Sequence, residues 1–200
     1  MKKSFEKALE GYSRFRDKYV HGDQSIMQTL SIDGQKPEIM VVACCDSRVD
    51  PALILQCDPG DLFVVRNVAN IVPPYENDAA HHGTSAALEF AICFLKVKHL
   101  ILLGHSQCGG IQALLENDAS KNDFITNWVS IIKHEGASPD IDTCARSALH
   151  QSYKNALSFP WILEKMQDKT LQIHRWFFDI KSGEIFDYDP LEEKYKPLEC

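Results

Sequence analysis

Ile39-Met40-Val41-Val42-Ala43-Cys44-Cys45-Asp46-Ser47-Arg48 is an apolar run that ends on thiols, then on a carboxylate and a guanidinium. A short apolar run of this kind reads as a strand buried on both faces, as in parallel sheets. A second stretch, Leu100-Ile101-Leu102-Leu103-Gly104-His105-Ser106-Gln107-Cys108-Gly109-Gly110, repeats the plan with an imidazole and a thiol after the apolar run. In open parallel sheets, chemistry gathers at the carboxyl ends of the strands. Two donor sets placed alike on two strands therefore predict one shared site, with Cys44, His105 and Cys108 offered to a single metal ion. Three protein ligands leave the fourth corner of a tetrahedral zinc open, and an open corner marks a catalytic ion rather than a structural one.

Working outward, strands are expected over residues 38–43, 62–66, 99–104 and 171–180. The last is turned back by Lys181-Ser182-Gly183 into 184–188 as a hairpin. Residues 5–20 read as an amphipathic arm, and 51–56 as a short helix opened by Pro51. Residues 84–96 read as a buried helix. A further helix begins near Gly110 with Ile111, Leu114 and Leu115 on one face, and 122–167 is helical in pieces broken by Gly136, Pro139 and Pro160. Strands alternating with helices predict an α/β fold: a single domain over residues 1–200 with a central, mostly parallel sheet of about four strands. An antiparallel edge strand and flanking helices complete it, and residues 1–34 form an N-terminal helical arm.

Composition removes several function classes. A chain of 200 residues with 44% hydrophobic content can bury one substantial core. The net charge is −7 and no basic stripe is interleaved with aromatics, so no nucleic-acid partner is expected. No apolar stretch reaches the roughly 18 residues of a membrane span. The start, Met1-Lys2-Lys3-Ser4-Phe5-Glu6-Lys7, has no apolar region suited to a signal peptide. Seven cysteines is an odd number for a disulfide framework, and a reducing cytoplasm is the expected location.

Cys44-Cys45-Asp46-Ser47-Arg48, Arg66-Asn67-Val68-Ala69-Asn70 and Gly104-His105-Ser106-Gln107-Cys108-Gly109-Gly110, in this order and each at a strand end, resemble the β-class carbonic anhydrases. The resemblance runs from about Gln35 to the Lys181 turn. It implies zinc on Cys44, His105 and Cys108, one ion per subunit, with Asp46 and Arg48 paired beside the open corner. The implied activity is reversible hydration of carbon dioxide to bicarbonate and a proton by hydroxide on the metal. It also implies a homodimer or homotetramer built through the N-terminal arm and the sheet, with the active cleft at the subunit boundary.

Within that family the position three residues before the first zinc cysteine is Val41, not the Trp tied to an allosteric bicarbonate pocket. Gln35 and Phe63 match the plant-like subtype, while its pocket Tyr aligns with Phe90. Gln35 would orient a bound oxygen, Phe63, Val68 and Phe90 would line a narrow apolar pocket, and Gly109 would offer backbone to the substrate. The chain departs from the family at Arg175, usually Gly, which bears on the edge hairpin rather than the metal. A carbon disulfide or carbonyl sulfide hydrolase on the same scaffold is the alternative enzyme. A structural zinc module closed by Cys45 or Cys57 is the non-enzymatic one.

Asp46 can accept a hydrogen bond beside the metal while Arg48 fixes it by a bidentate pair. Both side chains are expected on one face of extended backbone. Cys45 should point away from the metal as a buried thiol. Free N–H groups at the helix start after Cys108 favour a thiolate and could hold a bicarbonate oxygen. Arg66 and Asn67 are read as satisfying backbone groups, Asp61 as capping a turn, and His81 and His82 as loop residues rather than proton shuttles. His21, His99, His134, His150 and His174 show no ligand pattern, and Cys57, Cys93, Cys144 and Cys200 are read as structural or incidental.

Overall fold

The apolar run before Cys44 forms β1, Ile39–Cys44, whose side chains are buried from Met40 onward. Parallel partners flank it. β2, Leu62–Asn67, pairs from Ile39↔Leu62 to Cys44↔Asn67, and β3, His99–His105, pairs from Ile39↔His99 to Ala43↔Leu103. β4, Gln172–Phe178, extends the parallel set beyond β3. β5, Ile185–Asp189, and β6, Lys194–Pro197, finish the sheet antiparallel. The order is β2-β1-β3-β4-β5-β6. The chain leaves β1 to one side for β2 and returns on its other side for β3. Such a reversal opens a crevice at the carboxyl ends of the two strands. This computed structural model describes residues 2–21, 25–116, 123–133 and 140–199. Met1, His134, Gly136, Pro139 and Cys200, named above, lie outside the described residues.

Helices α1, Lys2–Tyr19, and α2, Ile26–Asp33, precede the sheet, and α3, Pro51–Ile54, joins β1 to β2. α4, Gly83–Glu89, runs into a π-helical turn, Phe90–Phe94, before β3. α5, Gly109–Leu115, and α6, Phe124–Val129, follow β3, and α7, Ile141–Ala156, and α8, Pro160–Gln167, lead to β4. Side-chain caps fix the starts: Asp50 accepts the N–H groups of Ala52 and Leu53, and Asp140 accepts that of Thr143.

The main core lies on one sheet face. Met40, Val42, Leu100, Leu102 and Phe177 pack with Ala148, Leu149, Phe159 and Ile162 of the covering helical region. Each such large side chain contributes roughly 1.5–3 kcal/mol on burial. Gly104 is what lets α7 come so close to β3, since a Cβ there would stand 2.8 Å from Leu149 Cδ1. On the opposite face Val41, Ala43, Ile101 and Leu103 form a second, smaller cluster with Trp176 and Phe178.

Two expectations need correction. The antiparallel edge holds two strands, because Lys194–Pro197 adds to β5 through pairs from Phe186↔Pro197 to Asp189↔Lys194. Lysines at Lys194 and Lys196 masked that strand in the sequence, although charge is what an edge strand needs. Residues 84–96 are not one buried helix: Phe90 and Phe94 are 42% and 69% exposed, and Leu95 N–H reaches back to the Phe90 carbonyl at 3.0 Å. Arg175, the departure from the family, is buried. Its guanidinium lies 3.7 Å from the Tyr188 ring centroid and 4.4 Å from that of Tyr153, and Nη1 donates to His150 Nδ1 at 2.7 Å. It thus ties β4 to α7 and β5, away from the metal-ligand loops.

Candidate metal centre

β1 delivers Cys44 and β3 delivers His105 to the crevice, and the turn after β3 brings in Cys108 as the residue that caps α5. The sulfurs of Cys44 and Cys108 are 3.9 Å apart, and with one His105 nitrogen all three donor atoms lie within 4.8 Å of one another. Two sulfurs each about 2.3 Å from a tetrahedral zinc would stand roughly 3.8 Å apart. His105 Nδ1 donates to the Ser106 carbonyl at 2.9 Å, which leaves Nε2 as a bare lone pair. That Nε2 is buried and has no hydrogen-bond partner among the described residues. A buried acceptor left without a donor costs free energy unless something fills it. The donor set and the orphaned nitrogen both fit zinc.

The thiols make the same demand. The Cys108 S–H bonded to Cys44 pushes the Cys44 thiol down to about 4, and that same hydrogen bond, then burial and the Cys44 charge, holds Cys108 far above the ordinary thiol range. The two share one proton, and a dication would remove the conflict. Backbone N–H groups already favour both thiolates: Asp46 and Ala69 at Cys44, Gly110 and Ile111 at Cys108. Of the N–H groups at this helix start, those of Gly110 and Ile111 are thus turned to a ligand sulfur.

The loops that supply these N–H groups are held by named contacts. Ala69 sits at φ 61 in a 3-10 turn over Val68–Asn70, and Gly110 meets it so closely that a Cβ would stand 2.7 Å from Val68 Cγ1. The Asn67 side chain clasps that turn, accepting Ile71 N–H at 2.8 Å and donating to the Ile71 carbonyl at 2.9 Å. Arg66 clamps the other loop, donating to the carbonyls of Cys44 at 2.8 Å and Asp46 at 2.7 Å, and to Asp50 Oδ2 at 2.9 Å. Both residues do satisfy backbone groups, as read from sequence, and the backbone in question carries the metal ligands.

Asp46 stands beside the trio, with Oδ2 4.0 Å from His105 Nε2. Arg48 grips it with Nε on Oδ1 at 2.9 Å and Nη2 on Oδ2 at 2.6 Å. This pair, joined by the Arg48 N–H, holds the Asp46 carboxyl far below the usual carboxylate range. The expected pairing forms by a different route. Residues 46–49 turn, with Val49 N–H on the Asp46 carbonyl at 3.1 Å, so the two side chains meet across a turn rather than along extended backbone. Cys45, one residue past the end of β1, is exposed rather than buried.

The remaining predicted residues separate into two groups. Val68 packs against Gly110, and Gly109 is exposed with open space at its Cβ position, both next to the ligand loops. Phe63 pairs with Met40, four residues before Cys44 on β1, or about 13 Å along the strand. Phe90 lies against it with ring centroids 5.9 Å apart, and Gln35 is exposed just before β1. One chain therefore does not bring Gln35, Phe63 and Phe90 to its own metal site. Neither Cys45 nor Cys57, the thiols offered for a closed structural zinc module, joins the trio. Asp61 accepts the Asp58 N–H at 2.8 Å, the turn cap expected of it.

The carbonic anhydrase family model matches residues 39–185. β-Carbonic anhydrase 5, chloroplastic, of Arabidopsis thaliana is 39% identical over 74% of this chain and 52% of its own length. A carbonic anhydrase of Synechocystis sp. is 34% identical over 92% of this chain and 71% of its own. Thus the chain spans about half of the plant relative and about seven-tenths of the cyanobacterial one. Among solved structures, the β-carbonic anhydrase CcaA superposes with a TM-score of 0.88 at 30% identity, covering 99% of this chain and 93% of that one. A tetrameric β-carbonic anhydrase of Sordaria macrospora gives 0.78 at 30% identity, covering 99% and 98%. The chain belongs to the carbonic anhydrase family, in its β class, and zinc is the metal its three donors fit. None of these relatives is named as a carbon disulfide or carbonyl sulfide hydrolase, and that alternative has no support.

Proposed function

We propose that this chain catalyses the reversible hydration of carbon dioxide to bicarbonate and a proton. The observation that carries it is the juxtaposition of two sulfurs and an orphaned imidazole nitrogen with a carboxylate fixed 4.0 Å away. Cys44, His105 and Cys108 hold the zinc, which when bound acts as a Lewis acid that makes water a competent nucleophile near neutral pH. Asp46 offers its Oδ2 to the proton of a hydroxyl group entering the site. Being held ionised, it welcomes an oxygen that carries a proton and repels one that does not. Arg48 keeps that carboxylate aimed, with both nitrogens of its fork committed.

Val68 and Gly109 border the substrate space of the same chain. Gln35, Phe63 and Phe90 serve the metal site of a second copy. The exposure of Gln35 and Phe90 in a single chain supports this, with half-buried Phe63 lying against Phe90, as does the apolar face of α1 formed by Phe5, Leu9, Tyr12 and Phe15. A twofold dimer, alone or paired into a tetramer, is the assembly that follows. Ligand thiols and an exposed Cys45 suit a reducing compartment, and we place the protein in the cytoplasm. No described helix is long and apolar enough to cross a membrane.

Stopped-flow measurement of carbon dioxide hydration, with and without a zinc chelator, tests the activity. Chelator-sensitive hydration restored by added zinc is expected. A zinc-loaded preparation no faster than buffer would end the proposal.

A further inference from the structure

We propose that Asp142 is a positioning residue for the Asp46–Arg48 pair, acting through the backbone of Gln107. This rests on the role given above to that pair beside the zinc ligands. Asp142 lies in the first turn of α7, 35 residues beyond Gln107 in sequence. Its Oδ1 accepts the Gln107 backbone N–H at 2.7 Å and the Gln107 side-chain amide at 3.4 Å. The Gln107 carbonyl in turn accepts Arg48 Nη2 at 3.1 Å, the same nitrogen that donates to Asp46 Oδ2 at 2.6 Å. Contacts thus pass from α7 through one residue of the ligand loop to the guanidinium that aims Asp46.

Gln107 needs such a tether. Its φ is 53, in the left-handed region where a side chain is strained, and it sits between His105 and Cys108 outside any helix or strand. That conformation is the one in which its carbonyl meets Arg48. A Gln107 free to relax would carry the carbonyl off and leave Arg48 with Asp46 as its sole anchor. A bond from an N–H to a carboxylate is among the stronger hydrogen bonds and offsets the strain. The anchor itself is firm, because α7 is capped by Asp140 and seats Leu149 against Gly104. An acidic residue in a first turn can also serve only to complement the helix dipole. That plainer role makes different predictions.

The test is a double-mutant cycle on the zinc-loaded protein, read by carbon dioxide hydration and by amide exchange at Gln107. Asp142→Ala is expected to lower kcat/KM about tenfold with zinc still stoichiometric. Asp142→Asn keeps an acceptor oxygen and should recover to within about threefold of the parent. Gln107→Gly adopts positive φ without strain, so in that background Asp142→Ala should lose no more than about twofold. Amide exchange at Gln107 should quicken at least about tenfold in Asp142→Ala, whatever the turnover. Full activity in Asp142→Ala, no recovery in Asp142→Asn, or an equal loss in both backgrounds overturns the proposal. Should the parent itself lack hydration activity, the proposed function fails. Exchange at Gln107 then decides whether Asp142 holds the loop, with unchanged protection counting against it.

Discussion

Arg66 on β2 donates to the backbone carbonyl of Cys44 at 2.8 Å, so a residue that touches no metal sets the backbone of the first zinc ligand. With Nη2 on the Asp46 carbonyl and Nη1 on Asp50, its planar fork fixes three points of one loop. A lysine has no such fork. Arg66→Lys should therefore weaken zinc binding by about tenfold or more, as loss of outer contacts to metal ligands does. Competition against a chelator dye measures it, and unchanged affinity would remove Arg66 from the support of the site.

Asp46 is predicted to matter for turnover and not for metal content. Asp46→Asn keeps the size of the side chain but places an amide against the Arg48 fork. A loss of about a hundredfold or more in kcat/KM is expected, with one zinc per chain retained. Metal analysis alongside stopped-flow kinetics separates the two effects, and near-parent turnover would refute the role given to this carboxylate.

Neighbouring glycines should respond unequally to the same added methyl group. A Cβ on Gly110 would stand 2.7 Å from Val68 Cγ1, 2.9 Å from Ala69 Cβ and 3.1 Å from Ala69 N, whereas one on Gly109 meets nothing within 4 Å. Gly110→Ala should destabilise by about 1–3 kcal/mol, the range for overpacking a tight contact. It should also weaken zinc binding, because the displaced turn carries the Ala69 N–H that supports Cys44. Gly109→Ala should leave thermal stability nearly unchanged. Equal melting temperatures for both variants would contradict the packing described.

Stability should fall on mild acidification. Burial first, then the nearby Arg175 and Lys154, lower the His150 pKa below its ordinary 6.5 against the opposing Glu193. Burial first and then His99 lower that of His174, with Asp187 opposing. Each imidazole stays neutral in the fold to a lower pH than in the unfolded chain. The unfolded chain therefore binds more protons as pH drops below 6.5, and stability is lost from there down to the folded-state values. Zinc-loaded protein should melt lower at about pH 5.5 than at about pH 7.5, and His150→Gln should flatten the dependence. A melting temperature that rises on acidification across this interval would contradict the assignment.

The parts of the fold legible in the sequence are those with strong period and strong chemistry. Val41, Leu102 and their neighbours read as buried strands because both faces are apolar, and the ligand set followed from its place at two strand ends. β6 escaped because Lys194 and Lys196 alternate with Tyr195 and Pro197, too short and polar a pattern to separate from a turn. Residues 84–96 read as a buried helix because sequence cannot tell a face that meets its own sheet from one, such as that of Phe90 and Phe94, left exposed in a single chain. Residue spacing also does not report whether Phe63, paired with Met40 and about 13 Å along the sheet from Cys44, serves its own metal site or that of a second copy. Arg48 and Asp46 do pair, but across a turn at 46–49 that residue spacing does not distinguish from extended backbone. Asp142 carried no signal at all, because its link to Gln107 is a tertiary contact to backbone.

X-ray absorption at the zinc edge of the purified protein bears most directly on the central claim, that Cys44, His105 and Cys108 hold one zinc and leave a corner free. Two sulfur scatterers at about 2.3 Å, one imidazole nitrogen at about 2.0–2.1 Å and one further light atom are predicted. A shell of four sulfurs, or protein that retains no zinc, would contradict it.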